Sequence, residues 1–217
     1  MKFKAVIFDL DGTLIDSIAS FYRMVVELFK GLGFDPPPRE TVNDMIGNNQ
    51  SLLENVVPKH WKNRDLFIEK GRDLGYRLWK RFIKQELRPI PGSREVLERI
   101  KESALPIGIV TSGSADYVAF LQEKGFLPPV DAIITKDDLP VLKPAPEPLL
   151  ECMVRLGVEP EGCIYIGDAP VDIRAGKASG VVTVAVLTGA GSQESLSAEG
   201  PDYIIPDVTH LWEVLEK

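Results

Sequence analysis

The chain has 217 residues, 44% of them hydrophobic and 26% charged, which allows one good-sized core or a core with a smaller second module. Its formal net charge of −7 argues against a nucleic-acid partner. No apolar run approaches the roughly 20 residues that span a bilayer, and the first apolar stretch stops at Asp9, too soon for a signal peptide. The expectation is therefore a cytoplasmic protein with no membrane partner.

The first apolar segment, Phe3–Phe8, is short and rich in β-formers, as a buried strand requires. Leu105–Val110, Asp131–Thr135, Cys163–Ile166 and Val181–Val186 have the same character, and Tyr203–Ile205 is a possible sixth strand. Between them lie amphipathic helical stretches at Arg94–Ser103, Glu147–Leu156 and Val171–Ala178. This alternation predicts an α/β fold with a parallel sheet covered on both faces. Cys152 and Cys163, the only cysteines, sit in apolar stretches and are expected as buried thiols rather than a disulfide.

The alternation breaks between Asp16 and Arg88. Helical patterns occur there at Ile18–Leu32, Arg39–Ile46, Ser51–Val57 and Arg64–Lys84, with no convincing strand. Pro36, Pro37 and Pro38 interrupt them, because prolines cannot continue a helix. The simplest account is a helical insertion, residues 16–88, within a core of residues 1–15 and 89–217, with Leu87–Gly92 as the return linker. The insertion holds 13 basic against 10 acidic residues, so it is cationic within an acidic chain. That excess can help to hold an anionic ligand, or it is an ordinary solvated helical surface.

Ligands of open α/β sheets bind at the carboxyl ends of the strands. The first strand runs into Asp9-Leu10-Asp11-Gly12-Thr13, where alternation places Asp9 and Asp11 on one side. Two carboxylates so placed can divide labour as nucleophile and acid/base, or can hold a cation. The second strand ends in Thr111-Ser112-Gly113-Ser114, whose hydroxyls and N–H groups at a helix start suit a phosphate, or simply cap the helix. Lys143, before Pro144, offers one mobile positive charge. The fourth strand ends in Gly167-Asp168, with Asp172 one helical turn on. Each patch alone is weak, and their coincidence at three strand ends carries the inference.

Together these motifs resemble those of the haloacid dehalogenase-like hydrolase superfamily over the span from Phe3 to about Ala190. The resemblance implies a Rossmann-like three-layer core, strand order 3-2-1-4-5, with a helical cap inserted after the first motif. It implies Asp9 as nucleophile and Asp11 as acid/base. It implies Mg²⁺ held by Asp9, the Asp11 carbonyl and Asp168, with Asp172 as ligand or orienter, an all-oxygen set that suits this cation. Thr111 and Lys143 would meet the phosphate, with Ser112 and Gly113 beside them. Asp11 separates the chain from the dehalogenases that name the superfamily, which lack an acid at that place. The phosphonate-cleaving branch needs a cap lysine, and Lys30, Lys59 and Lys62 lie in no matching context. Ala169 departs from the pattern, since many relatives carry serine there.

The cap piece Met45-Ile46-Gly47-Asn48-Asn49-Gln50 makes Gly47 and Asn48 candidate substrate contacts, the alternative being an Asn-capped helix–helix turn. Arg23, Arg72 and Arg77 are candidate carboxylate partners, the alternative being ordinary surface residues. With Pro91-Gly92, the segment from Lys143 to Pro148 and Asp172–Gly176, this piece looks most like the phosphoglycolate phosphatase branch. The expected partner is then a small phosphorylated metabolite, met by a monomer or homodimer. A sugar-phosphate mutase of the beta-phosphoglucomutase type, or a non-enzymatic phosphate-binding protein, are the competing readings.

Overall fold

The structure, a computed structural model, describes residues 3–216. The chain begins with β1 (Ala5–Phe8) and β2 (Ile15–Asp16), then four helices, α1 (Ile18–Gly31), α2 (Arg39–Gly47), α3 (Leu52–Val56) and α4 (Arg64–Gln85). It continues through β3 (Arg88–Pro89), α5 (Ser93–Glu102), β4 (Ile107–Val110), α6 (Ala115–Glu123), β5 (Ala132–Ile134) and α7 (Glu147–Leu156). The last elements are β6 (Cys163–Gly167), α8 (Pro170–Ala178), β7 (Val182–Val186), α9 (Gln193–Glu199), β8 (Tyr203–Ile205) and α10 (Trp212–Leu215).

Six strands form one parallel sheet in the order β5-β4-β1-β6-β7-β8. The order expected for five strands is present, and β8 extends it by one at the β7 edge. β1 lies at the centre, with Val6 beside Ile107 on one neighbour and Ile164 on the other. All four β1 side chains are buried, and alternation divides them between two cores. Val6 and Phe8 join Leu97, Ile100 and Leu121 of α5 and α6 on one face. Ala5 and Ile7 join Leu149, Cys152 and Ala175 of α7 and α8 on the other. Burial on both faces is the physical reason these strands are continuous apolar runs rather than alternating ones.

The helical segment has its own core of Met24, Val25, Leu28, Phe29, Val42 and Ile68, with an aromatic group of Phe34, Trp61 and Phe67 beside it. The sequence placed no strand between Asp16 and Arg88, and this needs correction. Ile15–Asp16 pairs antiparallel with Arg88–Pro89 in a two-stranded ribbon where the chain leaves and rejoins the sheet domain. Two-residue strands carry no periodicity to detect. Among the described residues no helix is long and apolar enough to cross a membrane. Cys152 and Cys163 are free buried thiols.

Candidate active site

Because the sheet is parallel, β1, β4 and β6 all end on the same edge, and Asp9, Thr111 and Asp168 meet there. A cavity of about 390 Å³ opens over that edge and is lined by Asp9, Asp11, Thr111, Lys143, Asp168 and Asp172, among others. Carboxylate oxygens of Asp9, Asp168 and Asp172 lie within 4.8 Å of one another, and all three residues are buried.

Lys143 reaches the middle of this acidic group from the loop before α7. Its ammonium donates to Asp9 Oδ1 at 2.5 Å, Asp172 Oδ1 at 2.6 Å, the Tyr165 hydroxyl at 3.1 Å and the Val110 carbonyl at 3.3 Å. Burial works to strip its proton, and the flanking Asp172 and Asp9 carboxylates overcome that, holding its pKa well above the ordinary lysine value. Tyr165, on β6, also donates to Asp172 Oδ1 at 2.9 Å. The other Asp172 oxygen accepts the Ala169 N–H at 3.0 Å, which caps the start of α8. Both oxygens of Asp172 are thus engaged by the protein.

Asp168 is held differently. One oxygen accepts from the Thr13 hydroxyl at 3.1 Å and the other from the Ala190 N–H at 2.7 Å. Gly189 presses against it so closely that a Cβ there would lie 1.8 Å from Asp168 Oδ2. Gly12, at φ +82°, turns the chain beside Gly189, and its Cβ would meet the same oxygen at 2.5 Å. Burial and the neighbouring Asp172 push the Asp168 carboxyl up to about 7. Burial likewise raises Asp9 well above the usual carboxylate range, with Lys143 offsetting only part.

Asp11 lines the same cavity but stands outside the three-carboxylate group. Its Oδ1 accepts from the Tyr117 hydroxyl at 2.8 Å. Burial raises its pKa, against the hydroxyls of Ser17 and Tyr117. Thr111 Oγ1 accepts the Gly113 N–H at 2.9 Å, which leaves the hydroxyl proton free to donate outward. Ser112 and Gly113 line the cavity beside it.

Gly47 and Asn48 were expected at the substrate and do not line the cavity. Gly47 lies against Pro170, where a Cβ would come within 3.3 Å of the ring. Asn48 Oδ1 accepts from Arg174 of α8 at 2.6 Å. Helix α2 runs through Gly47, and Asn49 then takes φ 51°, so the chain reverses one residue later than expected. Ile46, Asn49 and Gln50 face the cavity instead, and Asn49 Nδ2 donates to the Lys143 carbonyl at 3.0 Å. Arg23 and Arg72 pair with Glu86 and Glu54, and neither they nor Arg77 line the cavity. Tyr165, Tyr117, Thr13 and the 189–190 backbone were missed. For Tyr165 a signal existed, since a tyrosine inside an apolar strand must find a partner for its hydroxyl.

Fully ionised, Asp9, Asp11, Asp168 and Asp172 carry four negative charges against the single positive charge of Lys143. The buried carboxylates of Asp9, Asp168 and Asp172 fit a hard divalent cation, whose charge would offset the burial and, secondarily, the mutual repulsion that raise Asp9 and Asp168. Fold and site together define a carboxylate-rich centre at the switch point of a Rossmann-like sheet.

Residues 6–186 match the haloacid dehalogenase-like hydrolase family, and the chain belongs to it. It is 30% identical to a phosphoglycolate phosphatase of Neisseria meningitidis, over 98% of this chain and 94% of that one. An N-acetylmuramic acid 6-phosphate phosphatase of Pseudomonas aeruginosa is 27% identical, over 100% and 96% of the two chains. A hydrolase from Pseudomonas syringae superposes with a TM-score of 0.81 at 25% identity, covering 98% of each chain.

Proposed function

We propose that the protein is a magnesium-dependent phosphatase that hydrolyses a small phosphate monoester through a phosphoryl group carried on Asp9. The observation that carries this reading is the meeting of Asp9, Lys143 and Asp168 in one buried group at the strand ends. Asp9 Oδ1 is fixed by Lys143, which leaves the second oxygen to attack phosphorus in line. Lys143 lowers the repulsion between that carboxylate and an anionic phosphate. Asp172 and Tyr165 hold Lys143 in place, so Asp172 serves as an orienter. Thr111 donates its hydroxyl to a phosphoryl oxygen, with Ser112 and Gly113 alongside.

Asp11 is the acid that protonates the departing alcohol, and then the base that takes a proton from the water attacking the phosphoryl group. Its raised pKa suits the first task, and Tyr117 holds it toward the cavity. When bound, Mg²⁺ supplies charge stabilisation on the transferring phosphoryl oxygens. Asp9, the Asp11 carbonyl and Asp168 would hold it. Residues 16–88 form the cap that closes over residues 1–15 and 89–217, with the short ribbon at its stem. Positions 1, 2 and 217 of that division lie outside the described residues.

The names of the relatives put 2-phosphoglycolate first among substrates to try. The mutase alternative is not favoured, since the curated relatives named above are phosphatases. A purely phosphate-binding role leaves Asp11 without a task. The test is magnesium-dependent phosphate release from 2-phosphoglycolate and an aryl phosphate, with Asp9→Asn as control. Release by the parent and none by the variant supports the reading. A sugar phosphate isomerised without release of phosphate would establish the mutase, and inertness toward every ester would end the phosphatase reading.

A further inference from the structure

The cavity has two unlike halves. Its floor holds the carboxylates and Lys143. The opposite half comes from the helical segment, with Phe21 of α1, Ile46 of α2, and Tyr76 and Trp79 of α4. The Trp79 ring centre lies 5.9 Å from that of Phe21 and 5.8 Å from that of Tyr117. The three rings make one wall, and it descends to the hydroxyl that holds Asp11. Asp11 is where the alcohol of a phosphate ester departs, so this wall flanks the leaving group.

The polar groups in that half, Ser17, Asn49 and Gln50, are uncharged. Among the described residues no arginine lines the cavity. Its two lysines are placed elsewhere. Lys143 is held by Asp9 and Asp172, and Lys136, an exposed residue after β5, enters from the sheet side rather than from the helical half. The arginines of the helical segment that form ion pairs with Glu86, Glu54 and Glu27 do so outside the cavity. A carboxylate on the leaving alcohol would lose water against this wall, which itself contributes no cation to the cavity lining. An uncharged ring would gain aromatic contact, with amide and hydroxyl partners at hand.

We infer that this site, taken as the phosphatase site described above, prefers phosphate monoesters whose alcohol is uncharged and carries a ring over those of short acidic alcohols such as glycolate. Trp79 is the residue that sets the preference.

The test compares benzyl phosphate with 2-phosphoglycolate, both esters of primary alcohols, on the parent, Trp79→Ala and Trp79→Arg with Mg²⁺. The parent favours benzyl phosphate by about tenfold or more in kcat/KM, chiefly through KM. Trp79→Ala lowers the benzyl phosphate value about tenfold more than the 2-phosphoglycolate value. Trp79→Arg turns the preference toward 2-phosphoglycolate. A parent that favours 2-phosphoglycolate, or a Trp79→Ala loss equal for both esters, overturns the inference. Binding of 2-phenylethylphosphonate and 3-phosphonopropionate, in which CH₂ replaces the bridging oxygen, reads the same lobe through tryptophan fluorescence without turnover. Tighter binding of the phenylethyl compound by a protein inert toward every ester tried keeps this inference and ends the phosphatase reading. Cleavage of both esters with no preference does the reverse.

Discussion

Replacing Lys143 by methionine keeps most of the side-chain volume and removes the charge. The ammonium is 4% exposed and lies 2.5 Å from Asp9 and 2.6 Å from Asp172. Its loss strands two buried carboxylates, and breaking a buried pair from one side costs about 3–5 kcal/mol. For a chain of this size each kcal/mol moves Tm by roughly 2–4 °C, so a fall of roughly 6–20 °C is expected at pH 8 without divalent cation. The fall must also depend on pH. Burial raises the folded-state pKa of Asp9 above its unfolded value, so ionising it costs stability as pH rises from about 4 upward. Lys143→Met raises that pKa further. The gap between parent and variant therefore opens toward pH 8 and narrows toward pH 5, where the folded variant keeps its proton. Scanning calorimetry across that range measures it. A fall under about 2 °C at pH 8, or one of equal size at pH 5, would refute the electrostatic account.

Gly189→Ala drives a Cβ into Asp168 Oδ2, so magnesium affinity by calorimetric titration falls about 10–100-fold or more, while an unchanged affinity would remove Asp168 from the cation site. Asp168 lies at about 7 against 3.8 for the free side chain, so the metal-free fold loses stability from this group as pH rises between those values. A cation bound to its ionised form reverses that loss, and the magnesium-induced rise in Tm should grow from pH 5 to pH 8; a flat response contradicts this. Burial pushes the Cys152 thiol up to about 12 and the Cys163 thiol up to about 11. Neither should react with an aromatic disulfide reagent at pH 8 until denaturant is added, and rapid labelling of the native protein would show that the α7 face opens.

The meeting of the site's side chains was legible because parallel strands deliver their ends to one place. Once β1, β4 and β6 are recognised as buried runs, Asp9, Thr111 and Asp168 must meet, and Lys143 and Asp172 follow from the helices that start nearby. What escaped was set by tertiary approach. Nothing local marks Tyr117 as the partner of Asp11, which lies 106 residues away. The 189–190 loop is bound to Asp168 by a backbone N–H, which no side-chain pattern announces. Which residues of the helical segment face the cavity was missed by one residue. Three amides follow Gly47, and which of them enters the cavity depends on where α2 ends. The ribbon of Ile15–Asp16 with Arg88–Pro89 is too short for periodicity, and its pairing joins residues that only the fold brings together.

The central claim is that phosphorus becomes bonded to Asp9. The direct measurement is to mix the enzyme with Mg²⁺ and a substrate it hydrolyses, quench within the first turnover and reduce with borohydride, which converts an acyl phosphate of aspartate into homoserine. Peptide mass spectrometry should then find homoserine at position 9 of the parent and nowhere in Asp9→Asn. Homoserine at position 11, 168 or 172, or none at any position despite continuing phosphate release, would contradict the account.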